Sequence, residues 1–278
     1  MDYPFFLYGH RYALKFHIES IRLRETYAIL GFEWKGDKMK VAGYCGHPAS
    51  GIVLYKEVWP SDADFANRLE NCIGDSKHDI FEWKEALVGD AEVMHDYRDC
   101  SDFKMAEKYI PAEVPEEFQD AIDVYLEVIA GVRECVTHYQ SLYNIKLDYE
   151  EATNFVRYNE GQHFAVHADH GFSYSAVVSA IGYLNDDYEG GEYLLPYQDI
   201  KFAPEKGDVV VHPSSFIYAH SALPVTSGTK YSAVTMYDYN DRNHQQHGKG
   251  PENLSTSTFY SVLNDATNDQ ITQASSIE

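Results

Sequence analysis

The sequence predicts an α+β fold, with a β-sandwich or barrel braced by helices that precede it in the chain. Three observations lead there. First, residues 116–143 place Phe118, Ile122, Tyr125, Ile129, Val132, Val136 and Tyr139 at alternating steps of four and three. That spacing draws one apolar stripe along a helix. Second, from residue 153 the period changes. The runs NFVRY, SAVVSAIGYL, DVVVH and YSAVTMY are short, rich in β-branched and aromatic residues, and bounded by Gly, Asp, Asn or Pro, as strands are. Third, 278 residues of 44% hydrophobic content suffice for one large core or two small ones. Helices first and strands afterwards is the α+β order.

The elements follow in turn. Residues 27–45 predict a hairpin, because two apolar-rich runs flank Lys35-Gly36-Asp37-Lys38. Residues 52–59, IVLYKEVW, predict a strand. Ser61, with Asp64 three residues on, predicts the N-cap of a short helix through SDADFANRLENCI. The stripe of 116–143 lasts only about three heptads, which favours packing on a sheet over a coiled coil. After about residue 240 the chain is rich in Asn, Gln, Ser and Thr, with FYSVL as its main apolar run. The expected organisation is therefore an N-terminal extension over 1–50, a main domain over 51–240, and a loosely held polar tail over 241–278.

Composition narrows the function classes. The formal charge is −22, from 44 acidic and 22 basic residues, and no Lys/Arg run offsets it. Such a surface repels phosphates, so a nucleic-acid partner is not expected. No run of about 18 apolar residues predicts a membrane span, and the N-terminus lacks the basic region of a signal peptide. Cys45, Cys72, Cys100 and Cys135 form no Cys-x-x-Cys pair, which disfavours a zinc ribbon or redox motif. Reduced thiols in a cytoplasm are the simpler expectation.

The segment RYNEGQHFAVHADHGFSYS contains His167 and Asp169. On a strand, positions i and i+2 share a face, so one imidazole and one carboxylate converge. A third ligand would complete a two-His, one-carboxylate facial triad, which leaves positions open for cosubstrate and O₂. By itself His-x-Asp is weak in a chain of 13 histidines. His163 shares a face with His167 on a regular strand but stands roughly 13 Å away. His170 points opposite Asp169. Downstream, Gly207-Asp208 turns into DVVVH, His220 follows a short loop, Pro224 and Gly228 punctuate the return, and Lys230 opens the next strand.

Taken together, these residues resemble the prolyl 4-hydroxylase-like branch of the Fe(II)/2-oxoglutarate-dependent oxygenases. The pieces are Arg157-Tyr158, Gly161-Gln162, His167-Ala168-Asp169, Tyr183-Leu184-Asn185, Gly190-Gly191-Glu192, Gly207-Asp208, His220, Pro224-Val225, Gly228 and Lys230. Their order over 153–238 is specific although each piece alone is not, and a fainter match extends back to about residue 50. The resemblance implies a double-stranded β-helix, or jelly roll. It implies that His167, Asp169 and His220 hold a catalytic Fe(II), and that Lys230 pairs with the far carboxylate of 2-oxoglutarate. Physically, a buried dianion needs a fixed positive charge, and a lysine inside a barrel is otherwise costly. Tyr158 would donate to the same carboxylate, with a plain core tyrosine as the alternative, and Ser232 shares a strand face with Lys230. His212 stands where the family carries an apolar or aromatic residue, so a packing or supporting role is expected of it.

The implied reaction is a dioxygenase's hydroxylation of a substrate C–H bond, with release of succinate and CO₂ and ascorbate as a possible reductant. A prolyl residue in a peptide or protein is the first substrate expected. Residues 96–109 fall where relatives carry a mobile substrate loop, and Arg98 is the candidate there for substrate contact, with a surface arginine as the equal alternative. Two other readings stand beside this one: a hydroxylase of another amino acid or small molecule, and a catalytically silent jelly-roll module used for binding or assembly.

Overall fold

The computed structural model describes residues 40–45, 50–242 and 244, without 75, 79, 89–91 and 172–174. In chain order it begins with β1 (Lys40–Tyr44), β2 (Val53–Lys56) and helix α1 (Phe65–Ile73). Short strands follow: β3 (Lys84–Glu85), β4 (Arg98–Asp99) and β5 (Ser101–Met105). Helix α2 (Gln119–Tyr143) leads into β6 (Tyr149–Glu150), β7 (Thr153–Tyr158), β8 (His163–His167) and β9 (Val178–Tyr183). Next come β10 (Glu189–Gly190), β11 (Tyr193–Leu195) and β12 (Ile200–Phe202). The last strands are β13 (Val209–Pro213), β14 (His220–Ala222), β15 (Val225–Ser227) and β16 (Lys230–Asp238).

Two sheets carry the body. The larger has the order β1-β2-β13-β9-β16-β7-β5-β3, with β6 also paired to β16, and the smaller runs β12-β11-β14-β8-β4. From β7 onward the chain alternates between them: β7, β9, β13 and β16 lie in the larger sheet, and β8, β11 and β14 in the smaller. All these pairings are antiparallel. This winding is the jelly roll that the motifs imply.

Side-chain alternation along each strand sorts residues between two interiors. On β9, Val178 and Ala180 join the core shared with the helices, whereas Ile181 and Tyr183 join the core between the sheets. On β16, Tyr231, Ala233 and Tyr237 face the helix side. Lys230, Ser232, Val234 and Met236 line the cavity instead. The helix stripe behaves as its spacing predicts, with Phe118, Ile122, Tyr125, Ile129, Val132, Val136 and Tyr139 all buried. Phe118 belongs to a short 3-10 turn, Glu116–Phe118, just ahead of α2. Asn144, in a left-handed conformation at φ 51°, ends α2 and returns its N–H to Gln140 O.

Several expectations change. The first arm of the 27–45 hairpin lies outside the described residues; the part of its second arm that is described, β1, pairs with β2. That contact makes residues 40–44 part of the main sheet, so the body begins before residue 50. The strand at 52–59 stops at Lys56, because Glu57 adopts a positive φ of 53°. Helix α1 starts later than Ser61 suggests, with Asp64 at the N-cap position. The Asp64 carboxylate accepts from the Asn67 side chain rather than from a backbone N–H.

Residues 96–109 are not a free loop. In this segment β4 pairs with β8 of the smaller sheet, and β5 pairs with β7 of the larger. Burial of Phe103 and Met105 on one face of β5 explains the capture. The run FYSVL lies outside the described residues. The start of the expected tail is docked, however. The His244 side chain, almost wholly buried, sits 3.0 Å from Asp238 and 2.5 Å from Glu151 and stacks on Tyr149. Among the described residues no helix is long and apolar enough to cross a membrane.

Candidate metal and cosubstrate site

The end of β8, the bend after it and the start of β14 bring three side chains together. His167 Nε2 lies 3.4 Å from Asp169 Oδ1, and His220 Nε2 lies 3.7 Å from Asp169 Oδ2. One donor atom from each residue fits within 4.8 Å of the others. Two ligands at right angles around a first-row divalent ion, each at about 2.1 Å, stand about 3 Å apart, so the spacing suits a shared ion. Register explains the meeting, since His220 pairs directly with His167 across β14 and β8. Asp169 itself lies past the end of β8, so simple strand alternation is only part of the reason it converges.

The donor chemistry fits a metal as well. His167 Nδ1 donates to Ala165 O at 2.8 Å, and His220 Nδ1 donates to Tyr218 O at 3.1 Å. Both Nε2 lone pairs are thereby left toward the common point, as metal-binding imidazoles require. Burial holds His220 neutral, down to about 3. Burial also opposes ionisation of Asp169, but His220, His167 and the Ser179 hydroxyl outweigh it and hold the carboxyl well below the usual range. Ser179 Oγ donates to Asp169 Oδ2 at 2.5 Å and is itself hydrogen-bonded to Ser214 Oγ.

The rival histidines are occupied elsewhere. His163 meets Asp96 O at 3.3 Å, and His170 Nδ1 meets Ala176 O at 2.7 Å. His212 is fully buried on β13. Its Nδ1 lies 2.8 Å from Pro213 O, which only accepts, so Nδ1 carries the proton. Its Nε2 then accepts from Tyr193 Oη at 2.5 Å and is not free to bind a metal.

The same cavity, about 530 Å³ in volume, contains Lys230 on its inner wall. The residue is 2% exposed, and its ammonium donates to Gly191 O at 2.5 Å. Burial pushes it down to about 7, with Glu192 as a small opposing influence. Three tyrosine rings surround it: Tyr183 at 5.2 Å, Tyr158 at 5.7 Å and Tyr188 at 5.9 Å. The Tyr183 and Tyr188 hydroxyls are buried with no hydrogen-bond partner among the described residues. A buried cation beside unused hydroxyl donors is a combination that suits a carboxylate. Gly191 makes the arrangement possible. It sits at φ +62°, and a Cβ there would come within 3.1 Å of Lys230 Cδ.

Of the sequence candidates, the structure brings His167, Asp169, His220, Lys230, Tyr158, Ser232 and Arg98 to one cavity. Arg98 is committed to other partners there. It pairs with Asp102 at 2.6 Å, donates to Leu87 O at 2.9 Å, and lies over the Phe164 ring that stacks on His167. Sequence reasoning missed Tyr183, Ser179 and Tyr193. Alternation on β9 from Ser179 to Tyr183 held the signal for two of them, since both positions share the face turned from the helices.

Comparison with known proteins adds to this geometry. Residues 153–238 match the family model described as the 2OG-Fe(II) oxygenase superfamily. Among curated proteins, the mouse procollagen-lysine,2-oxoglutarate 5-dioxygenase 1 is 36% identical over 84 residues, which are 30% of this chain and 12% of that protein. A human multifunctional procollagen lysine hydroxylase and glycosyltransferase is 33% identical over 87 residues, 31% of this chain and 12% of that one. The chain thus spans about an eighth of the length of these relatives. Among solved structures, a prolyl hydroxylase from Trichoplax adhaerens, in complex with a hypoxia inducible factor oxygen degradation domain peptide, superposes with a TM-score of 0.53. That match covers 73% of this chain and 88% of the other at 13% identity, and it supports the jelly-roll fold.

Proposed function

We propose that this chain, whose residues 153–238 match the model of the 2OG-Fe(II) oxygenase superfamily, hydroxylates a C–H bond of a residue in a peptide or protein, using Fe(II), O₂ and 2-oxoglutarate. The observation that carries the reading is the coexistence, in one cavity, of a three-donor metal set and a buried ammonium. Among the described residues no carboxylate forms an ion pair with that ammonium, and such a charge is expensive to bury unless a ligand supplies the anion.

In this reading His167, Asp169 and His220 hold the metal. When bound, the metal and 2-oxoglutarate supply the oxidising chemistry, with succinate and CO₂ released. The chain's own residues do the rest. Lys230 pairs with the distal carboxylate, and the Tyr183 hydroxyl, unused and facing the same cavity, donates to it. Tyr158 stands beside them as a wall and second possible donor. Ser232 lies between Lys230 and Val234 on the same inner face. The three tyrosine rings keep water from the cation. Ala168, between two of the metal-set residues, and Asn154 and Met236, farther along β7 and β16 from Lys230, border the space left for substrate. Arg98 shapes that space through Asp102 and Phe164 rather than offering a free charge.

A prolyl residue is the first substrate, by likeness of fold to a prolyl hydroxylase. A lysyl residue is the second reading, favoured by the identity to procollagen lysyl hydroxylases over the same core. Ascorbate would serve as reductant for the iron. The test is anaerobic titration of Fe(II) with and without 2-oxoglutarate, followed by succinate release against peptides presenting Pro or Lys. Mass spectrometry should show a gain of one oxygen on one of the two. A visible charge-transfer band that fails to appear with both ligands present would leave a silent jelly-roll module as the better reading.

A further inference from the structure

His212 and Tyr193 form a contact that neither metal coordination nor simple packing explains. His212 lies on β13 in the larger sheet, and Tyr193 lies on β11 in the smaller. Their hydrogen bond therefore ties the two sheets together across the interior, at the level of the metal set. Both rings touch His220. Tyr193 stacks on it at 5.1 Å and 29°, and His212 meets it edge-on at 4.9 Å and 67°. The distal ligand is thus gripped from two sides. Its own backbone tether, Nδ1 to Tyr218 O, is comparatively long at 3.1 Å.

The polar nature of the pair needs a reason. Tyr193 is 3% exposed and His212 0%. Two apolar rings would fill the same space without the cost of desolvating a phenol and an imidazole. What the polar pair adds is a fixed in-plane orientation of both rings. The Pro213 carbonyl sets the His212 tautomer, His212 Nε2 then fixes where the Tyr193 hydroxyl points, and the Tyr193 ring plane follows. A ring so held presents one defined surface to His220.

We infer that the Tyr193–His212 hydrogen bond is a positioning device for the distal metal ligand His220, an inference that rests on the oxygenase reading above. Neither residue touches the metal point as a donor. His212 acts through Tyr193 and both act through the His220 ring.

The test uses Co(II) as the probe, whose visible bands report ligand geometry without turnover. Wild type, Tyr193→Phe, His212→Leu, His212→Gln and the Tyr193→Phe/His212→Leu double variant are titrated with Co(II), and the melting of each metal-free protein is recorded alongside. The expected result is a roughly 10–100-fold weaker Co(II) affinity, the range typical of lost outer partners, in Tyr193→Phe and in His212→Leu, each with altered visible bands. The double variant should be no weaker than the worse single, because one bond is lost either way. His212→Gln keeps an acceptor for the tyrosine hydroxyl and should recover most of the affinity. Unchanged affinity and bands in both single variants would overturn the inference. So would a loss that follows the melting temperature alone, or a Gln variant as weak as the Leu variant. Failure of the wild type to bind Co(II) would remove the oxygenase reading itself, and this inference with it.

Discussion

In the proposed reading Lys230 binds the cosubstrate, since its ammonium is buried in the cavity against a carbonyl and three aromatic rings. Lys230→Ala should weaken 2-oxoglutarate binding by on the order of 2–5 kcal/mol, with Fe(II) or Co(II) affinity nearly unchanged. Calorimetry in the presence of metal measures both, and an unaltered cosubstrate affinity would return Lys230 to the core. The pH dependence has a defined sign. In the free protein burial brings Lys230 down to about 7, so below that value the ammonium is already charged and binding is at full strength. Above it, binding the dianion requires proton uptake, and affinity should fall by up to about tenfold per pH unit. Titrations near pH 8 in two buffers of different ionisation enthalpy should show that uptake, and identical apparent enthalpies would contradict it. Lys230 and the three candidate metal ligands are legible in the sequence, because their spacing is written along the chain: Lys230 stands ten positions after His220 and opens a strand. The tyrosines are not. The motif points to Tyr158, yet the unused hydroxyls near the ammonium belong to Tyr183 and Tyr188. Which of 23 tyrosines ends beside one lysine depends on the register between β9, β16 and the turn before β10, and no local pattern carries that.

Elements are legible where their periodicity is long. The α2 stripe and the four strand runs of the barrel appear where the spacing places them, because a buried face imposes its period on many residues at once. Short elements depart from expectation for local reasons. Ser61 has the pattern of a cap, but Ala63 N–H turns back to Pro60 O and the helix begins only after Asp64. Residues 96–109 have the look of a loop, yet β4 forms the edge of the smaller sheet and β5 lies between β7 and β3 in the larger, places decided by partners far away in sequence. The turn from β10 into β11 is the element that holds the lysine. Gly191 combines φ +62° with a carbonyl that accepts from Lys230. Gly191→Ala should strain that conformation and displace the lysine stem. Cosubstrate affinity should then drop about tenfold or more, in line with a strain of roughly 1–3 kcal/mol, while Co(II) binding stays close to wild type. A metal affinity that falls in step with the cosubstrate would show that the turn supports the whole barrel rather than the lysine alone.

At the scale of the whole molecule, the two cavity ends are held by different parts of the chain. The Lys230 end is built from β9, β16 and the Gly190-Gly191 turn, whose Gly191 carbonyl accepts from the lysine. The other end includes Glu151 on its lining, and Glu151 is in turn held by His244. Composition alone places residue 244 in a loose polar tail, because a histidine among Asn, Asp, Arg and Gln carries no hydrophobic signal. Its burial comes from charge and shape instead: two carboxylates, Asp238 and Glu151, and the face of Tyr149 at 4.0 Å. Asp238 is also braced by the Ser175 hydroxyl at 2.7 Å. Removing His244 leaves two buried or half-buried carboxylates facing each other with no imidazole between them. Hydrogen bonds to charged groups contribute about 1.5–3 kcal/mol each, and in a domain of this size each kcal/mol moves melting by about 2–4 °C. A chain ending at Asn240 should therefore melt several degrees below one ending at Gln246. The longer chain should match the full-length protein in melting and in Co(II) affinity if residues beyond 246 add nothing to the body. Equal melting of the two truncated chains would mean that His244 rests on the surface without stabilising it. A full-length protein that melts well above the longer truncation would place FYSVL, or another part of the segment beyond it, in the folded body.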